Sequence, residues 1–399
     1  MTTARPVTPL NFPAERGGCP FAPPPAYERA REEEPVSQVT LFDGTRCWMI
    51  TRHADVKAVL RDQRFSADIR HPGFPFINAS RRALVSGQQT FIRLDDPEHA
   101  RLRRMLTADF MIKKTEALRP RIQGIVDEFL DRMIAHGSPA DLVTDFALPI
   151  PSLVICLLLG VDYADHTFFQ ERSRTLLNNE AAVDDVARAR DELVDYLAEL
   201  AERKRRSPDD SIISRLVARG ELTEREVAST GMLLLVAGHE TTANMTALST
   251  LVLLREPEQL TRLRAQPALL KGAVEELLRY LSIIQTGLPR VATEDITIGG
   301  RTIRAGEGVL CMLATANRDE AAFADAGRLD VAREARRHVA FGFGVHQCLG
   351  QPLARVELQI ALETLLRRLP TLRLAVPFEE IRYRDDMVVY GVRELPVAW

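Results

Sequence analysis

The chain has 399 residues, 46% hydrophobic and 27% charged, and its 52 basic and 55 acidic side chains leave a formal net charge of −3. That composition supplies a large buried core and excludes general disorder. It also excludes the broad cationic surface that nucleic-acid phosphates require. The five cysteines, Cys19, Cys47, Cys156, Cys311 and Cys348, are odd in number and free of CxxC pairs, the usage of a reducing compartment. No basic segment followed by an apolar one opens the chain as a secretory leader would. The longest apolar run, residues 148–161, contains Pro149, Pro151 and Ser152 and is too short for a bilayer. A cytoplasmic protein with no membrane association is expected.

Residues 1–35 are proline-rich and read as an irregular arm. Residues 36–399 read as a single domain with a β-rich lobe (about 36–52, 295–312 and 385–399) and a helical lobe. Two β-prone runs, 38–42 and 47–50, flank Asp43-Gly44, a hairpin signal. From about 54 to 268 helical periodicity dominates, punctuated by proline and glycine. Thr223 and Glu226 form a capping box for a helix that continues to Leu254 and stops before Pro257; at about 45 Å it crosses the molecule. Its middle is apolar up to Gly238, and then His239, Glu240, Thr241 and Thr242 follow. Polar groups on a core helix are costly unless satisfied, so chemistry is expected there. Strands are expected again at 295–298 and 301–303, around Gly299-Gly300, and at 387–392. The fold class is mainly α with small β-sheets.

The run Phe341-Gly342-Phe343-Gly344-Val345-His346-Gln347-Cys348-Leu349-Gly350 precedes a helical pattern of Leu353, Val356, Leu358 and Ile360. Glycines let a backbone approach a flat ligand, and a helix N-terminus stabilises a thiolate. A lone cysteine is otherwise most often a core residue. The spacing FxxGxxxCxG, filled by Phe341, Gly344, Cys348 and Gly350, resembles the haem loop of the cytochrome P-450 family, in its soluble actinobacterial form. The resemblance runs from about Pro35 to the C-terminus. It implies a triangular helical prism around haem b (iron protoporphyrin IX), with Cys348 as the proximal ligand of the metal.

Further segments follow the same family's order. Residues 237–242, Ala-Gly-His-Glu-Thr-Thr, resemble its oxygen-activation motif. There Thr241 back-bonds to the helix and opens a groove beside Ala237 and Gly238, and Glu240 relays protons. Glu276 and Arg279 resemble the ExxR pair, with Arg333 as its third member; without that context they read as an exposed i,i+3 pair of little weight. His99 and Arg103, i,i+4 on a helix opened by Asp95-Asp96-Pro97, resemble a propionate clamp completed by Arg290 and His346, since buried carboxylates need partners. His338 reads as a packing residue.

The resemblance implies a monooxygenase that hydroxylates or epoxidises a small hydrophobic molecule, such as a macrolide, a sterol-like compound or a xenobiotic, in secondary metabolism. Leu233, Val236, Ala237, Ile284, Leu288 and Val389 would line the pocket, with the loop at 74–84. No GxGxxG follows a strand and no reductase domain fits the length. Electrons would come from an external ferredoxin or flavodoxin with an NAD(P)H-dependent reductase, docked on Arg104, Arg336, Arg337 and Arg355. A peroxygenase fed by H2O2 and a non-catalytic haem sensor are the alternatives, and neither needs the Glu240–Thr241 pair.

Overall fold

A computed structural model describes residues 10–399. The hairpin forms as Val36–Thr40 against Arg46–Ile50, in the register Val36↔Ile50 to Thr40↔Arg46. Its turn closes through Gly44, at φ +82°, and through the Asp43 carboxylate, which accepts from Thr45 N–H at 3.0 Å. These strands belong to a six-stranded sheet that also holds Gly308–Cys311, Leu288–Ala292, Phe65–Ser66 and Leu10–Asn11. Gly299 and Gly300, both at positive φ, turn the separate two-stranded ladder of Ile296–Ile298 and Arg301–Ile303.

Helices make up the bulk of the rest. The long one runs Glu224–Arg255, 32 residues, and its Thr223 capping box is complete. It packs against the helices Pro149–Leu159, Val183–Arg206 and Gln351–Arg368, and Leu235, Leu248, Leu251 and Val252 are fully buried in the main core. Pro257 then opens a new helix, Pro257–Ala265, as its first residue, where a missing N–H costs nothing.

Three expectations need correction. The proline-rich arm is not wholly irregular, because Pro25–Glu33 is helical and Leu10–Asn11 adds a parallel strand beside Val39 and Thr40. Residues 387–392 form no strand; they make single bridges, Asn178↔Met387, Ile284↔Val389 and Tyr383↔Val392, to three different partners, so no ladder can run on. The C-terminal strand Pro396–Ala398 leaves the β-rich lobe and pairs with Arg373–Leu374 and Ala140–Asp141 in a sheet of its own. Among the described residues no helix is long and apolar enough to cross a membrane.

Candidate active site around Cys348

Cys348 lies between a tight turn, Gly344–His346, and the helix Gln351–Arg368. Its N–H donates to the Phe341 carbonyl at 2.9 Å, which folds the ten-residue run into a closed loop. Gly344 sits at φ +75° with its back against the Leu60 carbonyl, so no side chain fits. Cys348 is accessible to solvent yet deep in the molecule. Burial lifts its thiol above the ordinary value, opposed by the N–H groups of Gly350 and Gln351 and by Arg103 and Arg355. A bound cation would remove that obstacle, since a coordinating thiol deprotonates outright.

Leu233, Val236, Ala237 and Thr241 share one stripe of the long helix, at i, i+3, i+4 and i+8. Ala237 is exposed and the other three half-buried, whereas Leu234, Leu235, His239 and Glu240 are buried. The stripe is therefore the accessible side of this helix. Thr241 Oγ1 donates to the Ala237 carbonyl at 2.8 Å, the back-bond expected of it. Gly238 has a different role from the one expected. A Cβ there would lie 2.8 Å from Ile155 Cγ1, so its small size lets the helix Pro149–Leu159 approach.

Ile284 bridges Val389, and Leu288 Cδ1 lies 3.3 Å from where a Gly342 Cβ would be. Leu288 thus reaches the cysteine loop, and Ile284 and Val389 meet each other. Phe74 and Phe76 instead pack with Ile69 and Val291 in a small cluster of their own.

Beside the cysteine loop the protein gathers basic side chains. The His99 and His346 rings lie with centroids 4.1 Å apart, tilted by 39°. His99 Nδ1 meets Asp96 Oδ1 at 2.9 Å, but His99 Nε2 and His346 Nδ1 are buried without a partner among the described residues. Arg103 donates to the Gln347 carbonyl at 2.6 Å, and buried Arg290 to its neighbour Pro289 at 2.8 Å. Burial lowers the Arg290 guanidinium. Burial, reinforced by Arg290, His99, Arg103 and Arg93, holds the His346 imidazole down at about 3. Arg93 itself is brought down to about 10 by burial and by Arg290 and Arg81. Such a crowd of cations is costly without an anion. Two carboxylates of a haem, bonded to the free His99 and His346 nitrogens and to these guanidiniums, fit that need.

Glu276 and Arg279 are fully buried and joined twice, at 2.7 and 2.8 Å, so they are no surface pair. Arg333 Nε adds a third contact at 3.1 Å. Arg279 also donates to the Asn317 and Ala326 carbonyls, each at 2.8 Å, tying its helix to the segment before the cysteine loop.

Two side chains have partners that were not expected. The Glu240 carboxylate is buried and paired with Arg384 at 3.0 Å. Arg355 is not a surface charge but clamps Glu275 at 2.6 Å, and His338 joins the same carboxylate at 3.2 Å. Arg104, Arg336 and Arg337 are exposed as expected. Sequence reasoning missed Arg93, Asn244 and Arg384. Arg93, alone in the apolar run 91–94, carried a signal, and so did Asn244, four residues from Glu240; Arg384 carried none, because its contact spans 144 residues of chain.

Residues 29–374 match the family described as Cytochrome P450. The chain is 66% identical over its whole length to Cytochrome P450-SU2 of Streptomyces griseolus, which is also covered completely. It is 45% identical to 20-oxo-5-O-mycaminosyltylactone 23-monooxygenase of Streptomyces fradiae, with 96% of this chain and 90% of that one covered. Its fold superposes with a TM-score of 0.93 on the mycinamicin VIII C21 methyl hydroxylase of Micromonospora griseorubida bound to mycinamicin VIII, at 42% identity, covering 98% of this chain and 100% of that chain. With a haem-loop cysteine, a buried ExxR pair and a back-bonded threonine on the central helix, the chain belongs to the cytochrome P450 family.

Proposed function

We propose that this monooxygenase holds haem b through Cys348 and hydroxylates or epoxidises a hydrophobic molecule of the macrolide class, in the cytoplasm, as one haem-binding domain spanning residues 36–399. The observation that carries this reading is the pair of unpartnered imidazole nitrogens, on His99 and His346, beside a sulfur at a helix N-terminus. The haem, when bound, supplies the one-electron and oxygen chemistry.

The protein's own residues do the rest. The N–H groups of Gly350 and Gln351 support the negative sulfur. His99, Arg103, Arg290, His346 and Arg93 would hold the two carboxylates, and Phe341 and Ala237 would bind the apolar ring. Leu233, Val236, Ile284, Leu288 and Val389 exclude water and bind the substrate's apolar surface. Thr241 keeps a proton at Oγ1, on the exposed stripe, and Glu240 replenishes it through water. Glu276, Arg279 and Arg333 fix the scaffold below the cysteine loop. A macrolide is supported by the relatives named for a mycaminosyltylactone and bound to mycinamicin VIII.

Electrons come from an external ferredoxin or flavodoxin through an NAD(P)H-dependent reductase. Exposed Arg104, Arg336 and Arg337 offer a basic surface to such an acidic partner. The test is turnover of a macrolide panel with ferredoxin, reductase and 18O2. One labelled oxygen in the product, with NAD(P)H consumed only when substrate is present, is expected. Product formed with H2O2 but never with NAD(P)H would favour the peroxygenase, and haem binding without product the sensor.

A further inference from the structure

Glu240 and Thr241 are neighbours on the long helix, so their side chains diverge by about 100°. Thr241 lies on the exposed stripe, while the Glu240 carboxylate points into protein and is 3% exposed. There Arg384 Nη1 donates to Glu240 Oε2 at 3.0 Å and to Asn244 Oδ1 at 3.2 Å. Asn244 Nδ2 in turn donates to the Glu240 carbonyl at 2.6 Å and to its Oε2 at 3.3 Å. The other ionisable group at this point of the helix, His239, is bonded to the Leu235 carbonyl at 2.7 Å and faces the Phe169 ring. Arg384 is thus the cation against Glu240.

Arg384 belongs to the turn that carries Val389, one of the residues proposed to line the pocket. Its N–H donates to the Gly391 carbonyl at 2.9 Å, and Tyr390 N–H donates to the Ile283 carbonyl at 2.8 Å, with Val389 bridged to Ile284. A Cβ at Gly391 would collide with the Asn244 side chain, so the turn is shaped to receive the amide. Gln285 Nε2 holds the far side through the Arg384 and Asp385 carbonyls, at 3.4 and 3.2 Å, and Arg16 donates to Gln285 Oε1 at 3.2 Å.

We propose that Arg384 is a positioning residue for oxygen activation: it holds the Glu240 carboxylate off the Thr241 stripe and ties it to the turn that carries Val389, so that proton supply depends on how that turn sits. The idea rests on the proposed monooxygenase reading. Glu240 reaches the water beside Thr241 only when the Arg384 contact yields. A bare surface pair would not do this, because solvent screens it; this one is almost wholly buried.

The test compares wild type with R384Q, R384K and G391A as haem-loaded proteins. With 13C-glutamate labelling, the infrared band of Glu240 is assigned by difference from E240Q. In R384Q the band should shift, and peroxide released per electron pair should rise several-fold. R384K should restore the wild-type band in large part. G391A keeps the charge but drives a methyl group into Asn244, so it should shift the band in the same direction; it decides the matter if R384Q does not accumulate. A Glu240 band unchanged in both R384Q and G391A would overturn the proposal. Loss of the red-shifted carbon-monoxide absorption would instead defeat the haem reading and leave the infrared result standing, because the Glu240–Arg384 pair needs no haem.

Discussion

Arg279 and Glu276 meet at 2.7 Å with neither side chain exposed, and Arg279 spends its other donors on the carbonyls of Asn317, Ala326 and Arg328. Removing one partner strands a buried charge, at a cost of about 3–5 kcal/mol. Glu276→Ala should therefore fail to accumulate as folded, haem-containing protein, and Arg279→Lys, which cannot serve the carboxylate and three carbonyls together, should lower the unfolding midpoint by a large step. Chemical denaturation followed by circular dichroism and haem absorbance measures both. Wild-type stability in either variant would mean that the pair is dispensable.

Arg93 was not anticipated, yet it stands among Arg290, His99 and His346 at the proposed carboxylate site. Its loss removes one charge-assisted hydrogen bond, roughly 2 kcal/mol, or about thirtyfold in affinity. Arg93→Leu should raise the rate of haem transfer to an acceptor apoprotein by about that factor while leaving the fold intact.

Much of this arrangement was legible in the sequence because it is local. The capping box at Thr223, the Thr241 back-bond and the Gly344 turn each depend on residues within a few positions, and all three appear as expected. What the sequence hid is long-range. Arg355 reads as a surface charge until Glu275, 80 residues away, is seen to claim it. The partner of Glu240 stays hidden until the C-terminal turn brings Arg384 to it. The residues 387–392 alternate like a strand, but three separate partners take one bridge each, an outcome no local pattern encodes.

Two buried carboxylates should make stability depend on pH in opposite directions. Burial raises Glu275, but hydrogen bonds from His338 and Arg355 outweigh it and bring the group to about 2. Its contribution is present above the ordinary value near 4.5 and fades as pH falls toward 2. Glu357 is buried with Oε2 unpartnered, and burial pushes it up to about 8. That group favours the fold below its ordinary value near 4.5 and loses its contribution as pH rises through about 8. Glu357→Gln should therefore flatten the alkaline loss of stability and leave the acid limb unchanged, as read from unfolding midpoints against pH.

Thr241 donates its proton to the Ala237 carbonyl while standing on the exposed stripe. Thr241→Ala should leave haem binding and substrate affinity near wild type and divert most reducing equivalents into free peroxide. The ratio of product to NAD(P)H consumed reports this directly, and unchanged coupling would remove Thr241 from the proton path.

The sulfur at position 348 is the point on which the reading turns. Reduction of the purified protein under carbon monoxide should give the strongly red-shifted Soret absorption of a thiolate-bound haem, and Cys348→Ser should abolish that band together with turnover. A wild-type spectrum without the shift, or a serine variant that keeps both band and turnover, would contradict it.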